Sequence, residues 1–272
     1  MKVIKKMLLI EYIILGILQG FTEPLPISSS GHLKIFKYIF KSNALNDMNF
    51  EIIVNFGSLI AIIILYRKEI LNIIKDFFMY VKTKENIYKI NYKYVWLIIV
   101  ATIPAAVFGI FIKDLIENYF TIRLVGLMLI ITSIILFKIR NLKGNKDKKD
   151  ITYLDAFKIG LFQVFALLPG ISRSGMTIAA SMKCNLKRKE ALDFSFMLYL
   201  PVSFGAIILG LFDLIKTQNI SSLIPFYIIS FIVSMITTYF SIKWFIKIVK
   251  KGKLIYFSIY CFIIGILTII FI

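Results

Sequence analysis

The sequence predicts an all-α integral membrane protein: six transmembrane helices plus two re-entrant helix-loop-helix hairpins, arranged as inverted-topology repeats. Three observations carry that expectation. First, 59% of the 272 residues are hydrophobic and only 18% are charged, with a mean hydropathy of +0.83. Soluble domains are about 45–50% apolar and about 25% charged. Second, six runs are apolar enough to read as spans, and two further runs are broken by proline, glycine and serine. Third, the two broken runs align with each other at a constant offset of 144 residues. This composition excludes a water-soluble enzyme, a disordered chain and a disulfide scaffold.

The first broken run covers residues 8–40. It is interrupted by Glu23-Pro24-Leu25-Pro26-Ile27-Ser28-Ser29-Ser30-Gly31-His32. Continuous apolar runs follow at 51–66, 94–112 and 119–137. The second broken run covers 153–182 and is interrupted by Pro169-Gly170-Ile171-Ser172-Arg173-Ser174-Gly175. Three more spans follow at 194–212, 222–242 and 254–272, the last without any charge. A spanning helix needs about 20 mostly apolar residues. Proline stops a helix, and serine competes for its backbone hydrogen bonds. Irregular backbone survives at membrane depth only where protein buries it or water lines it. Both broken runs therefore read as re-entrant hairpins whose tips meet inside the membrane. The N-terminus resembles a secretory leader, but Glu11, Gln19 and Glu23 interrupt it and no small-residue cleavage site follows. No processing is expected.

Charge sets the orientation. The net charge is +18, from 33 Lys and Arg against 15 Asp and Glu. The connections at 67–93, 138–151, 183–190 and 243–253 hold 22 of the 33 basic residues. Cytoplasmic loops collect Lys and Arg, so these four face the cytoplasm. The connections around 41–51, 113–123 and 213–222 face outside. The sides alternate correctly if the broken runs do not cross, which leaves both termini outside despite Lys2, Lys5 and Lys6. No nucleic-acid-reading module accompanies the basic residues, so no nucleic-acid partner is expected. Cys184 and Cys261 imply no disulfide framework.

One membrane domain over 1–272 is expected. Repeat 1 covers 1–137, with its hairpin at about 8–40. Repeat 2 covers 153–272, with its hairpin at about 153–182. The offset pairs Gly16 with Gly160, Gln19 with Gln163, Ile27-Ser28 with Ile171-Ser172, Ser30-Gly31 with Ser174-Gly175, and Phe50 with Phe194. One hairpin enters from each side. Repeats of this kind place a polar site at their interface near mid-membrane.

Ionisable groups inside a membrane are costly and mark sites. Gln19 and Glu23 are one helical turn apart and share a face. Glu23 offers carboxylate oxygen, and Gln19 a carbonyl oxygen, to a hard divalent cation such as Mg²⁺ or Ca²⁺. His32 is the sole histidine and follows three serines at the first tip. It can activate a hydroxyl or protonate a leaving group, although a membrane histidine also serves as an interhelical hydrogen-bond partner. Arg173 opens the second half-helix of the other hairpin. A guanidinium binds phosphate oxygens bidentately, and a helix N-terminus favours anions. Ser172, Ser174 and Thr177 add hydroxyls there, and Ser28 and Ser30 do so from the first tip. The expected sites are therefore His32, Ser29 and Glu23 for catalysis; Arg173, Ser172, Ser174, Thr177, Ser28 and Ser30 for a phosphate or diphosphate; and Glu23 with Gln19 for the metal.

The run from Gln19 to His32 resembles the (Glu/Gln)-x-x-x-Glu and Pro-x-Ser-Ser-x-Gly-His motifs of the bacterial undecaprenyl-diphosphatase, or bacitracin-resistance, family. Pro169-Gly170-Ile171-Ser172-Arg173-Ser174-Gly175-Met176-Thr177 is similar to its Pro-Gly-x-Ser-Arg-Ser-x-x-Thr motif. The resemblance implies an inner-membrane enzyme whose site opens to the outer face. Such an enzyme hydrolyses undecaprenyl diphosphate to undecaprenyl phosphate and inorganic phosphate. It recycles the lipid carrier of peptidoglycan synthesis and removes the target of bacitracin. The resemblance also implies a need for a divalent cation, and a homodimer is compatible with it. Gln19 stands where many members have Glu, and Pro24 where an aromatic residue is usual. The expected mechanism has Ser29 or a water attack phosphorus, His32 handle a proton and Glu23 hold the cation; His32 remains an alternative nucleophile. The competing class is a polyprenyl-phosphate transporter or flippase that does not hydrolyse its lipid.

Overall fold

The computed structural model describes residues 2–42, 48–216 and 223–272. Ten α-helices appear among the described residues: α1 (Lys2–Thr22), α2 (Ser29–Phe40), α3 (Met48–Thr83), α4 (Lys89–Tyr119), α5 (Ile122–Ile139), α6 (Tyr153–Phe165), α7 (Arg173–Lys183), α8 (Arg188–Lys216), α9 (Ile224–Lys250) and α10 (Ile255–Phe271). The only pairing of β type among them is one isolated bridge between Lys146 and Leu186. The chain is thus an all-α membrane protein, as its composition requires.

Among the described residues, five helices are long and apolar enough to cross a bilayer: Asn49–Thr83, Asn86–Gly109, Ile122–Ile139, Arg188–Gly210 and Ile224–Lys250. Ile255–Phe271 is equally apolar at 17 residues. The span expected at 51–66 is part of a 36-residue helix. At 1.5 Å per residue that helix is about 54 Å long, well beyond the membrane core. It continues through the basic segment because Lys, Arg and Glu are good helix formers. Helix α9 likewise runs on to Lys250. The outer connections expected around 41–51 and 213–222 fall in part outside the described residues, as do the side chains of Lys113 and Lys216.

Both broken runs are helix–loop–helix. Pro24 and Pro26 follow α1, and Ser28 then caps α2 by accepting the Gly31 N–H at 3.3 Å. Ser28 has φ 68, a left-handed conformation rare for a residue with a side chain. In the second run Gly170 turns the chain at φ +99, and Ser172 caps α7 through the Gly175 N–H at 3.1 Å. The first run folds back on itself, because the Ser42 hydroxyl, just past α2, donates to the Glu11 carboxylate in α1. The two tips touch. The Gly170 N–H donates to Ser28 Oγ at 3.1 Å, and Ser174 Oγ donates to the Leu25 carbonyl at 2.9 Å.

Helices pack closely through small residues, since no hydrophobic force separates helix from lipid. A Cβ on Gly20 would lie 2.5 Å from the Ser234 carbonyl oxygen of α9, and one on Gly160 would lie 2.5 Å from that of Ala101 in α4. Hence α1 seats on α9 as α6 seats on α4, while α5 packs on α10 and α3 on α8. Exchanging the first five helices for the last five leaves these four pairings unchanged.

Candidate active site

The tips bring two helix N-termini to one cavity of about 170 Å³. Its polar lining is Glu23, Ser28, Ser29, Ser30, Asn55, Ser172 and Arg173. Ser29 is the first residue of α2, and Arg173 is the first residue of α7. The first amides of a helix have no intrahelical acceptor, and the macrodipole adds positive potential there. Two such ends converge on the cavity, which therefore suits an anion.

Glu23 is the centre of the polar network. Its Oε1 receives Arg173 Nη2 at 2.5 Å. Its Oε2 receives the Ser29 hydroxyl at 2.5 Å and Gln19 Nε2 at 2.9 Å. The carboxylate is thus buried but neutralised, the condition under which a charge survives in a membrane. The Arg173 guanidinium also lies 3.8 Å from the centroid of the Tyr199 ring. Asn55 closes the cluster, its Oδ1 accepting from Gln19 Nε2 at 3.2 Å and from the Tyr199 hydroxyl at 3.5 Å.

Of the expected site residues, Glu23, Ser28, Ser29, Ser30, Ser172 and Arg173 line the cavity. Gln19 lies behind Glu23, buried. Ser174 faces the Leu25 carbonyl and an adjoining void of only about 10 Å³. Thr177 is one turn further along α7, buried, with its hydroxyl 2.6 Å from Ser195 Oγ of α8. His32 does not line the cavity. Its Nδ1 is 2.7 Å from the Ser28 carbonyl and its Nε2 is 2.8 Å from the Tyr260 hydroxyl of α10. The carbonyl can only accept, so Nδ1 carries the proton, and in the neutral ring Nε2 accepts from the Tyr260 hydroxyl. Asn55, Tyr199 and Tyr260 escape the sequence reading. Two of them were within its reach, because Asn55 and Tyr199 are separated by the same 144 residues as the paired tips.

The donor set is of the right kind for a hard cation. Gln19 Oε1 is buried and has no hydrogen-bond partner. The Nε2 of the same amide faces both Glu23 Oε2 and Asn55 Oδ1, so the three side chains carry hard oxygen donors within one cluster. Among the described residues no three His, Cys, Asp or Glu side chains are grouped so as to hold a metal ion by themselves. A cation here would depend on phosphate oxygens and water for the rest of its shell, as Mg²⁺ commonly does.

A family model described as "Bacitracin resistance protein BacA" matches residues 12–267. The chain is 44% identical over 264 residues to "Undecaprenyl-diphosphatase 2" of Bacillus thuringiensis, covering 97% of each sequence. It is 45% identical over 267 residues to "Undecaprenyl-diphosphatase 1" of Bacillus licheniformis, covering 97% of this chain and 98% of that one. It is 41% identical over 266 residues to "Undecaprenyl-diphosphatase" of Oceanobacillus iheyensis, covering 97% and 96% respectively.

Proposed function

The chain belongs to the BacA family of bacitracin resistance proteins, and from that premise we propose that it is an undecaprenyl-diphosphatase. It hydrolyses undecaprenyl diphosphate to undecaprenyl phosphate and inorganic phosphate. Removing the diphosphate removes the target of bacitracin and returns the lipid carrier to envelope synthesis. The observation that carries the mechanism is the contact between Ser29 and Glu23 inside an anion-binding cavity.

Nucleophile and base must lie within hydrogen-bond reach, and Ser29 Oγ and Glu23 Oε2 do so at 2.5 Å. Ser29 Oγ attacks the terminal phosphorus, and its proton passes to Glu23. The bond from phosphorus to the bridging oxygen breaks, and undecaprenyl phosphate leaves with that proton, so Glu23 is again a carboxylate. Water then attacks the phosphoserine and Glu23 takes a proton from it; as the bond from phosphorus to Ser29 Oγ breaks, Glu23 returns that proton to Oγ, releasing inorganic phosphate and restoring Ser29. Phosphoryl transfer needs positioning and charge stabilisation more than covalent chemistry. Arg173 and the first amides of α2 and α7 supply both. His32 acts through Ser28: its Nδ1–H on the Ser28 carbonyl holds the left-handed turn that aims Ser29.

A divalent cation, Mg²⁺ or Ca²⁺, would be held by Glu23, Gln19 and Asn55, and would supply further charge neutralisation of the diphosphate. The two broken runs serve as re-entrant hairpins of inverted repeats, a reading supported by the pairing of α1 with α9 and α6 with α4. The four basic connections face the cytoplasm of a bacterial inner membrane, with the cavity opening outward.

The test is phosphate release from undecaprenyl diphosphate by purified protein in detergent, with Mg²⁺, with Ca²⁺ and with chelator. Release by the unmodified protein and its loss in Ser29→Ala are expected. No release from folded protein would overturn the reading.

A further inference from the structure

A second cavity lies at the far end of the second hairpin, away from the tips. It measures about 430 Å³ and is lined by Asp155, Lys158, Phe162, Ala180, Lys183, Cys184 and Asn185. It therefore opens between the first turns of α6 and the last turn of α7. On the orientation proposed above, this is the cytoplasmic end.

Its charge is positive. Asp155 is already neutralised, with the Lys146 ammonium at 2.8 Å and the Thr152 N–H at 3.0 Å on the same oxygen. Lys158 and Lys183 are exposed, and among the described residues neither forms an ion pair with a carboxylate. The Lys183 ammonium lies 5.6 Å from the centroid of Phe162, on the cavity wall. Two unneutralised ammonium groups and the Asn185 carboxamide thus share one concave site.

The wall continues into an apolar stripe. Leu154, Phe157, Leu161 and Phe165 follow at helical spacing along α6, and all are exposed. Leu154, Phe157 and Leu161 each stand one residue from a lining residue, and Phe165 continues the stripe a turn further, so the stripe flanks the cavity along the helix. A ligand that fits both parts has an anionic head and hydrocarbon chains. The lysines are not a by-product of hairpin architecture, for the positions 144 residues earlier are Ile14 and Ile39. Basic pockets between helices at the cytoplasmic face bind phosphate-bearing lipid heads.

We propose that this cleft binds the headgroup of an anionic glycerophospholipid, its phosphate on Lys158 and Lys183 and its acyl chains along Leu154, Phe157, Leu161 and Phe165. The site is separate from the catalytic cavity and does not depend on the enzymatic reading.

Cys184 lines the cavity, whereas Cys261 is buried, so a neutral maleimide reports on occupancy. The full-length protein is placed in vesicles of phosphatidylcholine, with or without phosphatidylglycerol. Phosphatidylglycerol is expected to slow labelling of Cys184 at least about threefold, the protection that two-thirds occupancy gives. Inorganic phosphate added to phosphatidylcholine vesicles is expected to give none. The Lys158→Gln/Lys183→Gln protein is expected to lose the protection, and Lys158→Arg/Lys183→Arg to keep it. Surface potential enters the ratio of every variant alike and cancels when the ratios of the variants are compared. The proposal is overturned by equal labelling rates of the unmodified protein in both vesicles, a comparison that needs no variant. Equal protection by inorganic phosphate, or protection that survives the double Gln substitution, overturns it as well.

Discussion

Ser29 and Arg173 each open the second helix of a hairpin, and they close on opposite oxygens of one carboxylate, Glu23, both at 2.5 Å. They are 144 residues apart, the register that relates the two hairpins. Two equivalent positions have thus acquired different chemistry, a hydroxyl on one side and a guanidinium on the other. The cavity is asymmetric where its scaffold is not.

Ser29→Ala is expected to reduce phosphate release by about three orders of magnitude or more, as loss of an activated nucleophile does. The protein is expected to stay folded, because Ser29 is half-buried. Acid quench of the unmodified enzyme during turnover should trap phosphate on Ser29. Near-normal turnover of Ser29→Ala would exclude the covalent route.

Arg173→Ala leaves Glu23 buried and without its cation. Breaking a buried pair on one side costs about 3–5 kcal/mol. Thermal unfolding in detergent is therefore expected to fall sharply for Arg173→Ala and to recover in large part when Glu23→Gln is added. Both proteins should be inactive. A double variant no more stable than Arg173→Ala would show that the pair is not what the substitution breaks.

The Tyr199 ring lies 3.8 Å from the Arg173 guanidinium, while its hydroxyl is 3.5 Å from Asn55. Tyr199→Phe is expected to keep activity within about threefold, whereas Tyr199→Ala loses a cation–π contact worth about 0.5–2 kcal/mol together with its packing. KM for undecaprenyl diphosphate, compared across the two variants, checks this.

His32 touches Ser28 and Tyr260 but does not line the cavity. His32→Gln is expected to lower kcat while leaving the shape of the pH–rate profile unchanged. Loss of a limb near neutrality in that variant would make His32 a titrating catalytic group and remove the positioning role.

Gly20→Ala is expected to destabilise the protein by about 1–3 kcal/mol, the usual cost of forcing atoms into a packed contact. Its Cβ would meet the backbone of Ser234. Gly205→Ala, in α8, meets nothing within 4 Å and should be neutral or slightly stabilising. Unfolding temperatures of the two proteins compare the cases directly.

Much of the site was legible because membrane chemistry makes polar residues conspicuous. Glu23 and Arg173 stood out as charges in apolar runs, and the prolines and serines beside them marked the hairpin tips. Asn55 and Tyr199 stayed hidden because each lies in a continuous helix with nothing local to single it out. Thr177 and Ser174 were expected on the phosphate because they follow Arg173 in one motif. Helix rotation and the neighbouring α8 turn Thr177 to Ser195 instead.

The sequence by itself determined the helical class, the two breaks, their common register and the identity of the charged groups. Hydropathy, proline and glycine act locally, so these features need no knowledge of neighbours. Only the tertiary structure decided which groups meet. Ser29 and His32 are three residues apart and share a helix face. Yet Ser29 ends on Glu23, just past α1, and His32 one turn later ends on Tyr260, 228 residues away in α10. Periodicity says which face a residue occupies, but the packing of distant helices sets what that face touches.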